Sequence, residues 1–234
     1  MKKEFEKRIY SSIIIIPLSL FFLIKGSVFF TFFLSILFLA TSYEWVILCK
    51  KKMINKILGT IFLLFSFYSA YQIRDVEGIN SFILVILICV FTDIGGYIFG
   101  KFFKGPKLIK ISPNKTYAGV FGGFLLAVAA GLIYDNFYYS NIIIYLEIFD
   151  NYSIETKLLI FILIISLVSQ IGDLIISYFK RLAKVKDTGK IIPGHGGILD
   201  RIDGLIFAIP VSYLILILWK KKIAILGSTG SIGK

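Results

Sequence analysis

Residues 158–179 read Leu-Leu-Ile-Phe-Ile-Leu-Ile-Ile-Ser-Leu-Val-Ser-Gln-Ile-Gly-Asp-Leu-Ile-Ile-Ser-Tyr-Phe, an apolar run whose one charge is Asp173 and which ends on Lys180-Arg181. About 20 such residues cross a bilayer as a helix. Outward from this run, further apolar stretches cover 9–24, 27–49, 57–73, 79–99, 117–134 and 204–219. The stretch 136–149 is apolar but short and interrupted; a re-entrant segment, an interfacial one and half of a further pair of spans are all open, and the last would raise the count to nine. The whole chain has 234 residues, 57% hydrophobic and 17% charged, with a mean hydropathy of +0.86. Soluble domains run near 45–50% apolar and about 25% charged. The pattern predicts an all-α, polytopic membrane protein with about seven transmembrane helices. It excludes a soluble enzyme, a secreted disulfide scaffold and a disordered chain.

The net charge of +12 sits between the apolar runs, where the positive-inside rule accounts for it and nucleic acid is not needed. With the N-terminus in the cytoplasm, the inside loops carry most of the basic residues, including Lys50–Lys52, the lysines of 101–115 and the cluster 180–190. The outside loops carry Lys25, Arg74 and Lys157 beside Asp75, Glu77, Asp135, Glu147, Asp150 and Glu155, and the asymmetry fails only at Lys220, Lys221 and Lys222, which would also lie outside. This predicts a multi-pass protein of the cell's inner (plasma) membrane with its loops 101–116 and 180–200 in the cytoplasm. The first apolar run lacks a small-residue cleavage site and reads as an anchor. Cys49 and Cys89 are isolated, and the one histidine, His195, excludes a multi-histidine metal site.

The chemistry concentrates in acids. Asp93 and Asp173 lie inside apolar spans, as does Glu44, and such residues normally face a partner or a water-filled cavity. Asp173 is seven residues before Lys180 and Asp93 eight before Lys101, which places both carboxylates roughly 10–12 Å from the same end of the spans. Asp200 and Asp203 are spaced to share one face of a helix. Carboxylates that crowd together repel unless a cation neutralises them. With no sulfur nearby, the fitting ion is Mg²⁺ or Mn²⁺, held by Asp173, Asp200 and Asp203 with Asp93 as a further candidate. The alternative is structural pairing with Arg181, Arg201 or lysines.

Two loops flank these acids. The first, 105–116, sets Ser112, Lys115 and Thr116 close together, suited to phosphate oxygens or to lipid headgroups. The second, 186–203, contains Gly194, Gly196 and Gly197, which allow close backbone approach and would present N–H groups to an anion at the start of the last helix.

Ser177-x-x-Lys180-Arg181, Lys186-Asp187, Pro193-x-His195-Gly196-Gly197 and Asp200-Arg201-x-Asp203 together resemble the signature of the phosphatidate cytidylyltransferase family, the CDP-diacylglycerol synthases. Gln170-x-Gly172-Asp173, Asp93 with Tyr97 and Gly100, and Ser112-Pro-x-Lys115-Thr116 resemble its other blocks. The chain departs from the family at Ala118, where a Glu is usual, and at Lys101, where an Arg is common. The resemblance implies transfer of a cytidylyl group from CTP to phosphatidic acid in the bilayer. It implies Asp173, Asp200 and Asp203 as metal ligands. Lys180, Arg181, Lys186 and Arg201 would neutralise phosphate charge, with Ser112, Lys115, Thr116, Ser177, His195, Gly196 and Gly197 at the substrates. A monovalent cation beside the Mg²⁺ and a homodimer are both left open. So are a related transferase acting on another lipid phosphate and, from a different class, a cation-coupled transporter.

The membrane domain is expected to occupy 1–220. Residues 221–234 read as a short β-type run followed by Gly227, Gly230 and Gly233, and resemble the opening of the NADPH-binding domain of deoxyxylulose phosphate reductoisomerase. A working dinucleotide site needs a helix and a second strand after the glycines, so a non-functional tail is expected.

Overall fold

A computed structural model describes residues 2–50, 52–109, 112–138, 154–194 and 196–229. Each of the seven apolar runs forms a helix: α1 Lys2–Lys25, α2 Ser27–Leu48, α3 Met53–Gln72, α4 Ile79–Phe103, α5 Tyr117–Tyr138, α6 Ile154–Ala183 and α8 Leu205–Thr229, with the short α7 Leu199–Ile202 before the last. Among the described residues, five helices are long and apolar enough to cross a membrane, with shorter apolar stretches at Tyr10–Lys25 and Leu205–Ile217. Large apolar side chains such as Ile14, Phe32, Leu58 and Phe121 face outward, as lipid-facing surfaces require. Most of the segment 136–149 lies outside the described residues.

Three features depart from the sequence reading. The loop after α4 contains a small antiparallel hairpin, β1 Lys107–Ile109 with β2 Ser112–Thr116. A π-helical turn, Ile73–Glu77, extends α3, and its Arg74 donates to the Leu23 and Ile24 carbonyls at the end of α1. Residues 221–229, read as a β-type run, continue α8 as helix. No breaker separates Leu205 from Leu226 except Pro210, and a helix already started propagates more readily than a lone strand can form.

Pro210 has no N–H, so it cannot satisfy the carbonyl of Ile206 one turn back. The Ser66 hydroxyl of α3 donates to that carbonyl at 2.8 Å, which ties α3 to α8 where water cannot substitute. Helices α4 and α5 meet through glycines. A Cβ on Gly95 would lie 2.2 Å from the Gly122 carbonyl oxygen, so the two backbones touch as only small residues permit. A buried Thr92–Ser166 hydroxyl pair at 2.8 Å joins α4 to α6. The main core gathers Ile73, Leu84, Val85, Ile88, Phe161 and Ile162 at the centre of the bundle.

Candidate active site

The ends of α2, α4 and α6 converge with the hairpin and the loop 184–198. Within the convergence is a cavity of about 240 Å³ lined by Asp93, Tyr97, Lys115, Thr116, Gln170 and Asp173, among others. Lys115 of β2 forms an ion pair with Asp173 of α6, both about a quarter exposed. The Ser177 hydroxyl lies one turn along, 3.5 Å from the same carboxylate. Asp203, at the end of α7, is within hydrogen-bonding reach of Asp173 and electrostatic reach of Asp93, and its Oδ1 accepts the Gly204 N–H at 3.0 Å. Carboxylates this close require a shared proton, a lysine or a cation between them. The Gln170 amide nitrogen is buried in the cavity wall with no acceptor. It is a donor available to a guest, and it belongs to the block Gln170-x-Gly172-Asp173, although the sequence alone assigns it no role there.

Asp200 does not join this group. Its Oδ1 accepts from Lys180 Nζ at 2.8 Å, and its Oδ2 accepts the N–H groups of Thr188 and Gly197 at 2.7 and 3.2 Å. The expectation that Asp200 and Asp203 share a helical face fails because α7 has only four residues. Asp200 turns to the loop and Lys180, while Asp203 turns to Asp173. Burial acts to raise the pKa of Asp200, but Lys180, Thr188 and Gly197 outweigh it and hold the carboxyl below its ordinary value. Lys180, 15% exposed, is the ion-pair partner of Asp200.

The glycine loop does cradle an anion, and the anion belongs to the protein. Glu44 of α2, 1% exposed, accepts the Ile198 and Leu199 N–H groups at 3.0 and 2.8 Å. The Thr188 hydroxyl sits 3.0 Å from both Glu44 and Asp200. The Gly196 N–H is taken by the Ile192 carbonyl in a tight turn. Gly196 to Leu199 thus spend their donors inside the chain, which corrects the expectation of open N–H groups there. A side chain on Gly197 would collide with the Thr188 hydroxyl and Glu44, so glycine is required for the close approach. The sequence placed Glu44 inside an apolar span; its partner lies 144 or more residues away, beyond any local pattern.

Of the other expected residues, Thr116 caps α5 by accepting the Gly119 N–H at 3.1 Å while lining the cavity. Ser112 lies on the same strand as Lys115. Arg181, Lys186 and Arg201 are exposed around the loop. His195 lies outside the described residues. Among the described residues, no three His, Cys, Asp or Glu side chains are close enough to hold a metal ion together. The structure brings Asp203 to Asp173, with Asp93 nearby, and pairs Asp200 with Lys180.

A family model described as the cytidylyltransferase family matches residues 50–219. The chain belongs to this family. Among its relatives, the phosphatidate cytidylyltransferase of Rickettsia felis is 33% identical over 226 residues, spanning 93% of this chain and 94% of that protein. The one from Rickettsia typhi is 33% identical over 217 residues, spanning 91% and 92%. The Staphylococcus epidermidis protein is 40% identical over 148 residues, or 63% of this chain and 52% of its own length. The family match takes in every cavity residue named above, and the latch residue Glu44 precedes it.

Proposed function

We propose that this cytidylyltransferase-family chain transfers the cytidylyl group of CTP to the phosphate of phosphatidic acid, releasing pyrophosphate and leaving CDP-diacylglycerol in the membrane. The observation that carries the reading is the carboxylate pair Asp173–Asp203, with Lys115 on Asp173 at a cavity that Asp93 and Gln170 also line. The names of the relatives supply the two substrates.

The pair also fits a divalent cation. Mg²⁺ is commonly held by one or two carboxylates, with substrate phosphates and water completing its shell, so Asp173 and Asp203 suffice where three ligands are not assembled. Bound there, Mg²⁺ (or Mn²⁺) would screen phosphate charge and stabilise the attacking and leaving oxygens. The chain's own groups do the rest. Lys115 neutralises Asp173 and stands within the same cavity as an incoming phosphate, while the Gln170 amide offers a neutral donor. The nucleophile is already a phosphate anion, so no strong base is required. Arg181, Lys186 and Arg201 stand outside the carboxylates, where a triphosphate would approach from solution. The charge asymmetry of the loops supports an orientation with this end in the cytoplasm of the inner membrane, where CTP is available.

The test is to supply purified protein with labelled CTP and a panel of lipid phosphates. Label should pass to phosphatidic acid. Transfer confined to a polyprenyl phosphate, or no transfer with Mg²⁺ present, would overturn the acceptor assignment.

A further inference from the structure

A second cavity, of about 400 Å³, is walled by α1, α2, α3, α4 and the start of α8. Its size falls in the ordinary range of ligand sites, but its lining is unusual. Every lining residue is apolar except Ser19 and Ser66, and their hydroxyls are already given to the Ile15 and Ile206 carbonyls. Nothing in the wall is left to recognise a polar guest.

The shape is a slot. Its lining runs from Phe82 to Val90 on α4 and from Phe30 to Leu37 on α2, an extent of about 10–12 Å along the helix axes. Ile202 and Leu205 line it as well, and they bracket Asp203. Ser66 bonds Ile206, and Ala70, one turn further along α3, lies deeper in the slot, away from the carboxylates. The wall formed by α1 rests chiefly on α2, and Leu20 and Val90 in the lining stay about half exposed, so the slot opens to the surrounding lipid.

We propose that this slot receives the ester-proximal half of one acyl chain of the lipid phosphate, standing parallel to the helices with its ester end at Ile202 and Leu205 and its mid-chain carbons toward Phe82. The proposal rests on the phosphatidate reading above. Lipid tails are as apolar as leucine, so burial gives little drive for a chain to leave the bilayer for the slot. What the slot contributes is fit: it holds the ester-proximal part of the chain and so aligns the headgroup with Asp203.

Ala70→Phe and Ile86→Phe each fill the slot from a different helix. Wild type and both variants are assayed with dihexanoyl and dipalmitoyl phosphatidate at equal surface concentration in mixed micelles. Overpacking of a fitted site should lower kcat/KM for the dipalmitoyl lipid at least about tenfold relative to the dihexanoyl lipid, whose chains end before Ala70. An unchanged ratio, or an equal loss on both lipids, overturns the slot. Should neither variant fold, wild type decides alone. A phosphatidate carrying a photoreactive diazirine at mid-chain should label residues 67–82, and labelling confined to outward helix faces, as for a bulk lipid, overturns the proposal. Wild type that turns over neither phosphatidate overturns the acceptor reading instead, a result separable from the slot-filling ratio.

Discussion

Replacing Glu44 with glutamine keeps the side-chain shape and removes one acceptor from a carboxylate that is 1% exposed. Oε1 accepts from Ile198, while Oε2 accepts from Leu199 and lies against the Thr188 hydroxyl. Whichever way the new amide turns, its NH₂ meets a backbone N–H. The better orientation keeps oxygen where two donors converge and confronts Ile198. A hydrogen bond to a charged group contributes about 1.5–3 kcal/mol, and a stranded buried donor costs about 1–3. These are two views of one loss, so closure of the loop 184–198 should weaken by about 2–3 kcal/mol. The helix packing is untouched, and the loss appears as local opening rather than global unfolding. Lys184, Lys186 and Lys190 provide trypsin sites in the loop. When opening is fast relative to cleavage, the nicking rate follows the open population, and 2–3 kcal/mol corresponds to roughly 30- to 150-fold faster cleavage. Limited proteolysis of detergent-solubilised protein, with the thermal midpoint as a control for the bundle, measures this. Nicking within about threefold of wild type, under 1 kcal/mol, would refute the latch.

Asp203→Asn should lower turnover about 10²–10³-fold in protein shown to be folded; near-normal turnover across a Mg²⁺ titration, or full activity in excess EDTA, rejects the carboxylate pair as the reacting site. Asp200 gives a pH signature with a defined sign. Its folded-state pKa is depressed, so its contribution is full above the unfolded value of about 3.9 and disappears as pH falls through the lower folded value. The thermal midpoint of wild type should therefore exceed that of Asp200→Asn most at neutral pH, and a gap that persists undiminished well below pH 4 contradicts the assignment. For orientation, Lys107→Cys should escape a membrane-impermeant thiol reagent in intact cells, and Asn136→Cys should react, after Cys49 and Cys89 are replaced. The reverse pattern sinks the topology.

The helices were readable because bilayer crossing demands long apolar runs, and the boundaries of 27–49 and 79–99 lie within a few residues of the observed helices. Asp93 and Asp173 were readable for the same reason: a charge inside such a run stands out. Asp200 and Asp203 were not separable, because an i, i+3 rule presumes a helix longer than α7. Glu44 was visible as an anomaly, but its function depends on a loop more than 140 residues later. The β-type reading of the run from 221 differs from the structure because isoleucines at 223 and 225 suit a strand in isolation, while the helix already running through Leu205–Thr229 supplies the nucleus a strand would lack.

The Glu44 latch also bears on how this enzyme can be taken apart. The family-model match begins at residue 50, which makes that point an inviting junction for chimeras or for swapping the first helices between relatives. The signature loop is nevertheless closed by a side chain from the other side of the junction. A graft that brings 50–219 without an acid at position 44 would import a loop with its donors turned inward and nothing there to receive them. The N-terminal helices are thus part of the module that a recombination experiment must carry, and a successful swap should be one in which donor and acceptor both keep a carboxylate at that turn of α2.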